Sequence, residues 1–117
     1  MMMRFSHAGL QCMTQLTPIG IRCGYVGVLQ SHPYYGKDRR DIDDIEVHGG
    51  LTYSGYWDDL DHTLWWLGFD CGHAWDLYDL PTTTSEPPYA FKSNKSQEFV
   101  EEETRNLAEQ LARVKIK

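Results

Sequence analysis

Cysteine is scarce in this 117-residue chain: Cys12, Cys23 and Cys71 share no repeated spacing and form no Cys-x-x-Cys pair. A disulfide framework and a thiolate zinc knuckle therefore have no basis in the sequence, and reduced thiols in a cytoplasmic protein are expected. Positive charge is also short, with 11 Lys and Arg against 17 Asp and Glu and a formal net charge of −6. A direct nucleic-acid partner or an anionic membrane surface needs the opposite field, so neither is expected. No apolar run approaches the length of a bilayer span, and the opening Met1-Met2-Met3-Arg4-Phe5 has no signal-peptide core. No internal repeat or low-complexity tract is visible.

What is present belongs to one globular domain, 1–117, with 41% hydrophobic and 13% aromatic residues. The negative charge gathers in the middle: between Asp38 and Asp79 eleven acidic residues face only Arg39 and Arg40. Such a patch reads either as a solvated loop face or as an imitation of a nucleic-acid backbone.

Residues 1–17 carry no firm period and read as an irregular arm or a poorly defined first strand. Residues 18–76 read as sheet. Within them, 19–29 alternates as a strand, with Ile21, Cys23, Tyr25 and Gly27 on one face and Arg22, Val26 and Val28 on the other. Gly24 or Gly27 is a place for it to bend. Ile45-Glu46-Val47-His48 and Leu51-Thr52-Tyr53 flank Gly49-Gly50, a two-residue hairpin signal. The strand 63–69 is apolar on both faces, Trp65, Leu67 and Phe69 on one and Leu64 and Trp66 on the other. One helix cannot cover both, so loops, a ligand or a second subunit must, and a homo-oligomer is expected. Residues 77–93, rich in Pro and Thr, read as a connecting loop. In 94–115 the stripe Val100, Thr104, Leu107, Leu111 and Val114 predicts a helix, capped by Asn94 or Ser96. The expected fold is α+β: an antiparallel sheet of four to five strands with one C-terminal helix packed on one face.

Three kinds of chemistry fit the residues at the strand ends. A metal site would draw on His48, Asp70, Cys71, His73 and Asp76, although no established metal signature is present and neither metal nor cofactor is expected. Metal-free acid–base catalysis would need the imidazoles of His48 and His73 to converge on one substrate. Ligand binding without chemistry would use flat rings for stacking and glycine backbone for close approach to a phosphate, from His48, Gly49, Gly50, Tyr53, Trp66, Asp70, His73 and Asp76. His7, His32 and His62 have no supporting context and read as surface residues.

The stretches His48-Gly49-Gly50-Leu51-Thr52-Tyr53-Ser54-Gly55 and Trp65-Trp66-Leu67-Gly68-Phe69-Asp70-Cys71-Gly72-His73-Ala74-Trp75-Asp76, with Cys23-Gly24-Tyr25-Val26-Gly27-Val28 before them, resemble a family of small uncharacterised proteins of phage and bacterial genomes. The resemblance runs from about residue 22 to residue 112 and brings no activity with it. It implies a context, that of accessory proteins that counter host defence by holding or cleaving a nucleotide signal or by occluding a nuclease. The leading expectation is a phage-type accessory protein that sequesters a small nucleotide-like ligand between the 48–55 and 69–76 bends. The alternatives are a phosphodiesterase-like hydrolase using His48 and His73, and an acidic inhibitor of a host defence protein that binds nucleic acid.

Overall fold

The structure is a computed structural model that describes residues 2–17, 20–57, 63–71 and 96–114. Five strands, β1 (Met2–His7), β2 (Leu10–Leu16), β3 (Arg22–Val28), β4 (Tyr53–Gly55) and β5 (Trp65–Asp70), and the helix α1 (Gln97–Arg113) make the α+β fold that the sequence pattern predicts. The strands lie in the order β1-β2-β3-β5-β4, and every neighbouring pair is antiparallel.

Residues 1–17 are not an irregular arm: from Met2 to Leu16 they form the β1–β2 hairpin. Ala8 and Gly9 turn the chain with φ of 53° and 79°, the double positive φ of a type I′ turn, whose twist matches that of the flanking strands. The alternation behind the hairpin is weak in sequence because methionine falls on both faces, Met3 on the inner and Met2 and Met13 on the outer, and polar residues do too, Thr14 on the inner and Gln11 and Gln15 on the outer.

The predicted 45–53 hairpin does not form either. Gly49 and Gly50 do turn, with φ of 71° and 82° and the Gly50 N–H donating to the Val47 carbonyl at 2.8 Å. Residues 45–48, however, lie against α1 instead of pairing as a strand. Gln110 clamps Glu46, accepting from its N–H at 2.8 Å and donating to its carbonyl at 2.7 Å, and Glu103 accepts the His48 N–H at 2.7 Å. Backbone groups that find partners on the helix have no need of a ladder. Of the returning strand only Tyr53–Gly55 pairs, and it pairs with β5.

α1 begins at Ser96, whose Oγ accepts the Phe99 N–H at 3.2 Å, and buries Val100, Thr104, Leu107, Ala108 and Leu111. Thr104 is tolerated in the apolar stripe because its hydroxyl donates back to the Val100 carbonyl at 2.6 Å. The helix packs on β3, β2 and, less extensively, β1. The long excursion between β3 and β4 carries Tyr34, Tyr35, Ile42, Ile45, Val47 and Leu51 into the same apolar cluster, so helix and excursion together cover this inner face. His32 fastens the two: its Nδ1 accepts the Tyr34 N–H at 2.9 Å, which leaves Nε2–H to donate to the Leu111 carbonyl at 2.8 Å. A residue that reads as surface decoration in sequence thus closes the C-terminal turn of the helix.

The opposite, outer face holds a second cluster of Met13, Cys23, Tyr25, Leu64 and Trp66, with Ile21, Tyr53 and Trp57 packed against it. Trp66 is fully buried within the single chain. The doubly apolar strand therefore has cover on both sides, and the reason for expecting a second subunit on that face falls away. The predicted 77–93 loop lies outside the described residues.

Candidate functional site

Register explains how the outer face is built. One row runs across all five strands as Arg4, Met13, Tyr25, Gly68 and Tyr53, and the next runs as Ser6, Gln11, Gly27, Trp66 and Gly55. In each row a large ring sits opposite a glycine and lies down over it. A Cβ on Gly68 would stand 2.8 Å from Tyr25 Cε1, and one on Gly27 would stand 3.2 Å from Trp66 Cε2 and Cζ2. The same device recurs on the inner face, where a Cβ on Gly24 would meet Phe69 Cε1 at 2.6 Å. Gly24 and Gly27 are thus shelves for rings, not bends in β3.

Around Tyr25 the outer rings pack edge to face, Trp57 at 4.6 Å and Tyr53 at 5.5 Å between centroids. Tyr53 is held in place because its hydroxyl donates to the Tyr56 carbonyl at 2.8 Å. Burial, followed by the charge and hydrogen bond of Cys23, pushes the Tyr25 hydroxyl far above its ordinary range, so it keeps its proton. Burial likewise raises the Cys23 thiol and lifts that of Cys12 to about 11. These thiols are neutral apolar packing and not nucleophiles or metal ligands at neutral pH.

One polar atom in this cluster is unsatisfied. The indole N–H of Trp66 is buried and has no hydrogen-bond partner among the described residues. Its neighbour in sequence has one: Trp65, on the inner face, donates Nε1–H to the Lys37 carbonyl at 3.0 Å. Leaving a buried donor unmet costs about 1–3 kcal/mol. The nitrogen-bearing edge of the Trp66 ring, at Cε2, is the part that lies over Gly27, and the Leu64 side chain packs beside it there, its Cδ1 3.0 Å from where a Gly27 Cβ would stand.

Among the described residues, the predicted site residues fall into two groups. Tyr53 and Trp66 belong to the outer cluster, and Asp70, at the end of β5 and opposite Cys23, alternates to that same face. His48, Gly49 and Gly50 lie with α1 on the inner side, where the His48 ring meets the Phe99 ring edge to face at 5.4 Å. The sheet separates the two groups, so a pocket shared by His48 and Tyr53 is not what this fold builds. His73 and Asp76 lie outside the described residues, and with them the second member of the imidazole pair. Among the described residues no group of three or more His, Cys, Asp or Glu is arranged to hold a metal ion.

The acidic stretch is partly internally matched. Asp38 accepts from the Arg40 side chain at 3.1 Å and from its backbone N–H at 2.8 Å, and Asp44 accepts from the Tyr34 hydroxyl. Asp58, Asp59 and Asp61 lie outside the described residues. No helix among those described is long and apolar enough to cross a membrane. Comparisons with protein-family models, with curated proteins and with solved structures find no match to this chain.

Proposed function

We propose that the chain is a non-catalytic binding protein that sequesters a small, planar, nucleotide-like molecule on the outer face of its sheet. The observation that carries this reading is the buried and unpartnered Trp66 N–H, within a cluster of Tyr25, Tyr53 and Trp57, at a place over Gly27 covered by the Leu64 side chain, which a ligand must displace. A heterocyclic ring with an acceptor nitrogen or carbonyl satisfies that donor while presenting a flat face to the aromatics. Arg4, in the same outer row as Tyr25 and Tyr53, supplies positive charge for an anionic group. The reading keeps the ligand class suggested by the family resemblance and by the aromatic content, and moves the site from the His48 bend to the outer face.

Incubation of the full chain with a panel of cyclic nucleotides and ADP-ribose derivatives, followed by removal of free ligand and heat release, tests it. At least one member is retained and recovered intact, and Trp66→Phe, which keeps a ring but loses the donor, weakens retention about three- to tenfold. Retention of no member overturns the proposal. Recovery of a cleaved product would instead favour the hydrolase alternative.

A further inference from the structure

The two edges of the sheet differ in how they are protected. β4 is only three residues long. β1 has six residues, contains no proline and bears a single permanent charge, Arg4. No described strand pairs with its outer side. Of the four large apolar residues exposed on the described surface, two, Met2 and Met3, lie on this strand, at 46% and 39% exposure. Natural edges are ordinarily shortened, bulged or charged to prevent further pairing, and β1 shows little of this.

Hydrogen-bond phase decides what β1 can accept. The two-residue Ala8–Gly9 turn closes on the pair His7 and Leu10, so His7, Phe5 and Met3 direct their N–H and C=O groups to β2. Met2, Arg4 and Ser6 direct theirs outward. A second copy of β1 added antiparallel must keep inner residues opposite inner residues, which places the two-fold axis on a residue and not between residues. Centred on Arg4, the pairing sets two guanidinium groups against each other. Centred on Phe5, it sets Phe5 against Phe5, Met3 against His7, and Arg4 against Ser6, and the last pair is the one whose backbone groups face outward. Both registers satisfy phase, and of the two only the one centred on Phe5 avoids setting like charges against each other.

We propose that β1 is the interface of a symmetric dimer in which two sheets join edge to edge around Phe5 into one continuous antiparallel sheet. The reading is independent of the ligand proposed above. It identifies Ser6, an exposed residue with no part in the core, as the position that sets dimer strength, because each Ser6 faces Arg4 of the other copy.

Sedimentation equilibrium of the full chain and of two Ser6 variants tests it. The wild-type chain self-associates to a dimer; Ser6→Lys, which places a cation opposite each Arg4, raises the dimer dissociation constant about three- to tenfold, and Ser6→Glu lowers it by a similar factor. Circular dichroism establishes that both variants fold. A wild-type chain that is monomeric throughout the concentration range overturns the proposal, as does a dimer indifferent to both substitutions, the result expected of an interface elsewhere or of the Arg4-centred register.

Discussion

Trp65 and Trp66 are adjacent in the chain and meet opposite fates. Trp65 faces the helix side, is half-buried, and gives its N–H to the Lys37 carbonyl; Trp66 faces the other way, is fully buried, and gives its N–H to nothing among the described residues. The contrast extends to the faces they stand on. The inner face is closed by directed hydrogen bonds from side chains of α1 and the 29–52 excursion, with Gln110, Glu103 and His32 as the fasteners. The outer face is closed by rings lying on glycines and meeting edge to face. A face built from directed bonds has its polar groups accounted for. One built from ring contact leaves a donor without a partner among the described residues.

The largest expected effect comes from denying the outer face its close approach. A Cβ at Gly68 would lie 2.8 Å from the Gly24 carbonyl oxygen as well as against the Tyr25 ring, and backbone cannot step aside as a flexible side chain would. Gly68→Ala should therefore destabilise the fold by about 3 kcal/mol in urea unfolding. Gly50→Ala is the control: its Cβ would meet nothing within 4 Å, and only the φ of +82° opposes it, a cost of about 1 kcal/mol. Equal losses at the two positions would show that glycine in this chain serves turn geometry alone and that the ring-on-glycine account is wrong.

The helix and the opposed faces of Trp65 and Trp66 were legible in the sequence because each depends on local period alone. Val100, Leu107 and Leu111 recur with the helix turn, and strand alternation sends neighbouring residues apart whatever surrounds them. The β1–β2 hairpin was not legible: its turn is Ala8-Gly9, without the Asn-Gly or Asp-Gly signal, and Met2, Met3 and Met13 are spread over both faces. His48 was misplaced for another reason. An imidazole before Gly-Gly reads as a strand-end group, but what fixes its backbone is Glu103, 55 positions away on the helix. The orphan donor on Trp66 was equally invisible, since whether an indole N–H finds a carbonyl depends on what folds over it. Sequence marked the neighbourhood of Trp66, Tyr53 and Asp70 as unusual and could not say on which side of the sheet His48 would fall.

The inner face offers the intermediate effect. His32→Ala removes the donor to the Leu111 carbonyl and the acceptor for the Tyr34 N–H in one step, and with them the tie between helix end and excursion. A loss of about 2 kcal/mol is expected. Amide exchange near Leu111 and Tyr34 should accelerate while the β3–β5 ladder stays protected. Uniform acceleration across the sheet would mean that the two faces are not separately fastened and that the comparison fails.

The smallest effect lies where the excursion turns. Asp38 caps the short 3-10 helix Arg39–Asp41, and the Arg40 side chain and backbone N–H hold its carboxyl down at about 2, against a usual value of 3.8. A carboxylate whose folded value is depressed contributes stability that is complete above the usual value and fades as pH falls toward the folded one, so this contribution should be lost between about pH 4 and 2. It is small, because the pair is exposed and water screens it. Carboxyl NMR titration is the appropriate reading: Asp38 should titrate near 2 in the folded chain and move upward in Arg40→Gln, stopping short of 3.8 because the backbone N–H still donates. An unshifted Asp38 would remove the charged clasp from the excursion and leave the Arg39 N–H bond to Ser54, at 3.0 Å, to hold this turn against β4.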